Sequence, residues 1–194
     1  MSLADITDEF GTPRGGGRAH QGIDIALNYK AFPERRGVGT PILAAWGGKV
    51  STVRKSELYS GYGIYVDIIH PNGLRTRYAH LDAALVNVGD AVTPGQVIGL
   101  GGNTGDVLSE GKAVTGSYEN PDSPRYKGYG AHLHFEIHES IDDKGNYRVV
   151  NPRPYLDGSK KASTSISQKG SRVIRETSVV GYRNAVRLNE TFTK

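Results

Sequence analysis

Residues 130–138 read GAHLHFEIH, with apolar and polar positions in alternation from Ala131 onward. Successive side chains of an extended strand point to opposite faces, so residues two apart share a face. Leu133, Phe135 and Ile137 then line one side, and His132, His134, Glu136 and His138 the other. The apolar side reads as core. A face of imidazoles and a carboxylate suits metal ligation or proton transfer better than plain solvation. From about residue 40 short apolar runs recur between turn signals. One run covers residues 41–46 and stops at Gly47-Gly48, and another covers 49–53. Runs at 63–70 and 74–81 flank Pro71-Asn72-Gly73, and two more lie within 88–99. Asn-Gly tolerates the positive φ that tight hairpins need, so the middle pair forms a hairpin. Regular short strands of this kind predict an all-β, turn-rich antiparallel sandwich or barrel.

Two stretches break the rhythm. Residues 103–130 are polar, rich in Gly, Pro and Tyr, and without apolar periodicity. Long loops inside compact domains are uncommon and often functional, so this stretch is either a groove wall or a surface insertion. A shorter insertion spans residues 28–39. The body closes at Asn151-Pro-Arg-Pro-Tyr-Leu156, where two prolines end regular structure. Residues 158–170, GSKKASTSISQKG, read as a Ser/Lys-rich linker. Residues 171–194 carry too few apolar side chains for a core of their own. The expected organisation is therefore a domain over 1–157, a linker over 158–170 and a docking segment over 171–194.

Composition narrows the chemistry. The 194-residue chain has no cysteine, which leaves His, Asp and Glu as metal ligands. No run of about 18 apolar residues predicts a membrane span, and MSLADITDEF carries no visible signal peptide. The net charge of +4 is uneven: residues 158–194 hold eight basic against two acidic side chains, a net +6, leaving −2 for residues 1–157. A basic tail of this kind docks on an anionic polymer or an acidic partner, or is simply solvated; no nucleic-acid motif accompanies it.

A second chemical cluster lies upstream, His20-x-Gly22-x-Asp24. In a straight strand positions four apart sit about 13 Å from each other, too far to share one ion through bonds of about 2.0–2.2 Å. The chain must bend between them, and Gly22 permits it. HQGID, RYAHL, the VGDAVTPGQVIG double turn and AHLHFE occur in that order. In this ordered set the sequence resembles the lysostaphin-like (LytM-type) zinc metallopeptidases, which cut peptide cross-links in bacterial peptidoglycan. The resemblance covers roughly residues 8–156. It implies an antiparallel β fold with a groove holding one zinc, with His20, Asp24 and His134 as ligands and His80 and His132 as the two catalytic histidines. Two neutral imidazoles and one carboxylate leave a divalent ion positively charged with an open position, suited to acidifying water and polarising a carbonyl.

Glu136 shares the histidine face and is expected to orient an imidazole or to lie on the rim. His138 is expected past the site and in solvent, and His70 is expected to have no role. Arg14 and Arg18 either contact substrate carboxylates or stay exposed. A different reading is a relative without turnover, either an activator of another wall hydrolase or a structural phage-tail component. The expected partners are peptidoglycan peptides, and the expected place of action is the cell wall or periplasm. A virion-carried enzyme anchored by its tail also fits.

Overall fold

The computed structural model describes residues 5–56, 58–142, 144–160, 163–168 and 171–176. The elements run β1 (Ile6–Asp8), β2 (Ile23–Ala26), β3 (Pro41–Leu43), β4 (Gly48–Arg54), β5 (Ile64–Ile69), β6 (Leu74–Ala84) and β7 (Ala91–Val92). They continue with β8 (Val97–Gly101), β9 (Leu108–Ser109), β10 (Lys112–Ala113), β11 (His132–Ser140), β12 (Tyr147–Val150), a single helical turn α1 (Arg153–Leu156), β13 (Ser163–Gln168) and β14 (Ser171–Glu176). Ten strands form one antiparallel sheet along the path β1-β2-β11-β6-β5-β4-β7, with β12 joined to β11 and β8 to β3 and β6. The all-β antiparallel expectation holds. The run beginning at residue 41 is shorter than expected, because Ala44 to Gly47 turn toward β4.

Alternation fixes which face is core. Leu133, Phe135 and Ile137 of β11 are buried with Ile23 and Ile25 of β2, Val66 and Ile68 of β5, and Tyr78 of β6. Ile42, Trp46 and Ile98, from the β3–β8 branch and its flank, join the same cluster, so the sheet folds over one core. Each such side chain contributes about 1.5–3 kcal/mol on leaving water. Tyr155 and Leu156 of α1 close the core at its end. The predicted hairpin forms at Asn72-Gly73: Gly73 has φ +78°, and Asn72 Oδ1 accepts the Leu74 N–H at 3.1 Å.

Strand β6 departs from strict alternation near His80. Along β6, Leu74, Thr76 and Tyr78 point toward the core, so strict alternation would send His80 there too. Instead Val66 pairs with Tyr78 and Ile64 with Leu81, so two residues of β6, Ala79 and His80, oppose Tyr65 alone. This bulge is made by His80 itself, at φ +58°. The parity shifts by one, Leu81 takes the core position, and the imidazole of His80 turns to the histidine face.

After Lys160 the described residues are those of β13 and β14, which pair antiparallel in register. The remainder of the basic segment, 177–194, lies outside the described residues.

Candidate active site

The histidine face of β11 meets two neighbours. On one side β2 pairs with it and places Asp24 directly opposite His134. On the other, β6 places Ala79 opposite His134 and the bulged His80 beside it. His20 precedes β2, anchored where Thr12 O accepts its backbone N–H at 2.9 Å and its own carbonyl accepts the Gly11 N–H at 2.9 Å. The bend between His20 and Asp24 does fall at Gly22, yet for a different reason than backbone freedom, since its φ lies outside the left-handed region. A Cβ there would stand 2.5 Å from Phe135 O and 2.8 Å from His134 Cε1, so only glycine lets the chain pass the ring.

Three donor atoms converge. His20 Nε2 lies 3.1 Å from Asp24 Oδ1 and 3.0 Å from His134 Nδ1, and His134 Nδ1 lies 2.9 Å from Asp24 Oδ1. The outer nitrogens settle the tautomers. His20 Nδ1–H donates to Glu9 O at 2.9 Å, and His134 Nε2–H donates to Glu136 Oε1 at 3.0 Å. What remains is three lone-pair atoms facing one another in a nearly dry place, an arrangement that needs a cation or an added proton. Their separations are close to the roughly 3.4 Å edge of a tetrahedral site with bonds of about 2.1 Å. The residues present therefore fit a zinc ion. Burial opposes charge on His134, but the flanking Asp24 and Glu136 carboxylates outweigh it and lift the imidazole to about 8. Burial would raise Asp24, yet hydrogen bonds from His134 and His20 hold it well below the usual carboxylate range.

His80 and His132 stand beside this group, their ring centroids 4.7 Å apart. His80 Nδ1–H donates to Thr104 O at 2.7 Å, and His132 Nδ1–H to Gly130 O at 2.7 Å. Each keeps Nε2 as its free acceptor, and His132 Nε2 lies 3.5 Å from Asp24 Oδ1. Burial, with neighbouring imidazoles adding to it, pushes His80 well below its ordinary value; burial likewise lowers His132. Both are neutral near pH 7. A cleft of about 820 Å³ opens over them, walled by Arg14, Arg18, Gln21 and Tyr62 and by Asp106 and Leu108 of the 103–130 segment. That segment is thus a groove wall.

All five expected site residues meet here, and several neighbours differ from expectation. Glu136 is 0% exposed and sits behind His134, not on a rim. It also accepts from Tyr62 Oη at 2.7 Å and from His138 Nε2–H at 2.7 Å. His138, expected in solvent, is only 8% exposed, because Glu136 binds one ring nitrogen and Arg75 Nη2 donates to the other at 3.1 Å. His70 is a buried structural group: its Nδ1–H donates to Gly47 O at 2.9 Å and Thr76 Oγ1 lies 2.8 Å from Nε2. Arg14 pairs with Asp8 at 2.5 Å and reaches Asp24 Oδ2 at 3.4 Å, so it braces the Asp24 carboxylate. Arg18 is exposed at the cleft edge. Tyr62 was not legible as a site residue. Burial and the Glu136 charge push its phenol up to about 12, so it stays a donor.

Residues 18–152 match peptidase family M23, and the chain belongs to that family. Among its relatives, the peptidoglycan DD-endopeptidase ShyC of Vibrio cholerae is 39% identical over 108 residues, 54% of this chain and 22% of that protein. The catalytic domain of lysostaphin from Staphylococcus simulans superposes with a TM-score of 0.52 at 28% identity, covering 77% of this chain and 89% of that one. A zinc-containing peptidase from Vibrio cholerae superposes with a TM-score of 0.51 at 30% identity, covering 78% and 37%. The chain spans about a quarter or less of the length of the curated relatives it matches.

Proposed function

We propose that this chain is a zinc-dependent endopeptidase that hydrolyses peptide cross-links of bacterial peptidoglycan, with one ion held by His20 Nε2, Asp24 Oδ1 and His134 Nδ1. The observation that supports this reading is the all-acceptor triad, whose outer nitrogens are tied off so that all three inner atoms can bind one cation. When bound, zinc supplies Lewis acidity that polarises the scissile carbonyl and acidifies water. The chain's own residues then share the proton work. Of the neutral pair His80 and His132, one accepts a proton at Nε2 from the attacking water and then passes that same proton from Nε2 to the leaving amine, while the other steadies the water through its own Nε2. The C–N bond breaks as the C–O bond forms, and proton uptake balances release.

The name of the ShyC relative favours a D-alanyl cross-link over a glycine bridge as the bond cut. The place of action is the cell wall or periplasm, and the basic segment after Gly158 attaches the enzyme to anionic wall polymer or to a virion. The completeness of the five-residue group favours turnover over an adaptor role. The test is digestion of purified walls of both cross-link types by zinc-loaded protein, with new termini identified by mass spectrometry. Release of cross-linked peptides, abolished by chelator and restored by zinc, is expected. Intact walls of both types would overturn the reading.

A further inference from the structure

The tautomers of His80 and His132 depend on two backbone carbonyls, Thr104 O and Gly130 O, that stand at opposite ends of the 103–130 segment. This segment has little regular structure, only the short β9–β10 pair. Something else must hold its ends to hydrogen-bond accuracy. Asn103 and Arg125 do so, and they hold each other. Arg125 Nη1 donates to Asn103 O at 2.8 Å and to Gly105 O at 3.2 Å, the two carbonyls flanking Thr104. Its Nη2 donates to Val114 O at 2.6 Å. In return Asn103 Nδ2 donates to Arg125 O at 3.0 Å and to Tyr129 O at 2.9 Å, the carbonyl just before Gly130. Both side chains are sealed from water, at 4% exposure for Arg125 and 0% for Asn103. The guanidinium lies 5.4 Å from the ring centroids of Tyr59 and Tyr118.

A buried guanidinium bonded to neutral oxygens is a costly way to stabilise a loop. It has one property an apolar plug lacks: a rigid planar fork that fixes several carbonyls at once. We propose that Arg125 and Asn103 are positioning residues for the proton-transfer pair, acting through the Thr104 and Gly130 carbonyls to lock both imidazoles as Nδ1–H tautomers. The inference rests on the reading of His80 and His132 as that pair. The zinc ligands come from β2, β11 and the chain before β2, so the clamp bears on the proton carriers and not on the metal.

The experiment uses the zinc-loaded full chain and its Arg125→Lys and Asn103→Ala variants, with long-range ¹H–¹⁵N spectra of the imidazoles, zinc content, and kcat and KM on a soluble cross-linked peptide. In the parent protein both rings show the Nδ1–H pattern. In each variant at least one ring shifts to a tautomer mixture, zinc stays stoichiometric, and kcat falls about 10- to 100-fold with KM little changed, the scale expected of a misplaced catalytic group. Unchanged tautomers in both variants, or loss of zinc in parallel with loss of kcat, overturns the clamp. A variant that fails to fold leaves the other to decide, and failure of both to fold assigns the pair a purely structural role and overturns the proposal. Failure of the functional reading is distinguishable, because His80→Ala and His132→Ala would then retain turnover whatever the tautomers show.

Discussion

The two halves of the histidine face of β11 look alike in sequence and do different work. At one end stand His132 and His134; two residues on stand Glu136 and His138, on the same strand and the same face. At the first end the neighbours are Asp24 from β2 and the bulged His80 of β6, and the face opens into the cleft. At the second, β12 has replaced β2, and regular β6 sets Arg77 opposite Glu136 and Arg75 opposite His138. Arg77 is bound in a two-pronged pair with Asp67, at 2.8 and 2.9 Å. A carboxylate across the strand gathers imidazoles around a place for a cation; guanidinium groups across the strand fill that place themselves. The partner strand, more than the residue type, decides what a histidine does.

The sharpest way to break this comparison is Asp24→Ala, which removes the carboxylate that distinguishes the open end. Stoichiometric zinc should be lost by elemental analysis and wall lysis should fall to background, while the far-ultraviolet spectrum stays that of the folded sheet. Next in size, His80→Ala and His132→Ala should each keep zinc and lower turnover by roughly 10²-fold, the usual scale for a positioned acid or base. At the junction of the two ends, Glu136→Gln keeps the shape and removes the charge behind His134; zinc affinity measured by chelator competition should weaken about 10- to 100-fold. At the sealed end, His138→Asn should leave zinc content and turnover near those of the parent and cost about 1–2 kcal/mol in urea unfolding, the scale of an unmade buried hydrogen bond.

His70 supplies the smallest effect and a control outside the site. Burial lowers its imidazole from the ordinary 6.5, so the unfolded chain binds a proton that the folded one refuses. Stability from this group is present above about pH 6.5 and is lost as pH falls through that value toward the lower folded-state pKa. Chemical unfolding from about pH 7.5 to about pH 5.5 should show a shallower decline in His70→Gln than in the parent. An identical slope would mean His70 titrates normally.

Much of the architecture was legible because it rests on period-two alternation and turn chemistry, both local. The core face of β11 and the Asn72-Gly73 hairpin follow from residues within a few positions of one another, whereas Gly22 is required by the ring of His134 on a distant strand. The site was legible only where residue type and order carried it. His80 illustrates the limit: alternation alone assigns it to the core beside Tyr78, and the ordered motifs, not the pattern, placed it with His132. A bulge depends on how β5 and β6 register, which no local stretch declares. His138 was misjudged for a similar reason, since its cover is Arg75 and Glu136 and not its own neighbours in the chain. Arg125 looked like one more charge in a polar loop, because its partners are carbonyls, which every residue carries.

The backbone of His80 has a further consequence for how this protein ages and drifts. A non-glycine residue at φ +58° carries a conformational penalty of about 1–2 kcal/mol, and glycine would be at ease there. Replacing His80 by glycine should therefore weaken the folded state less than replacing it by alanine, while removing the imidazole altogether. On the role proposed for His80, durability and chemistry pull in opposite directions at this position, and variants screened for persistence alone would be expected to lose the imidazole there.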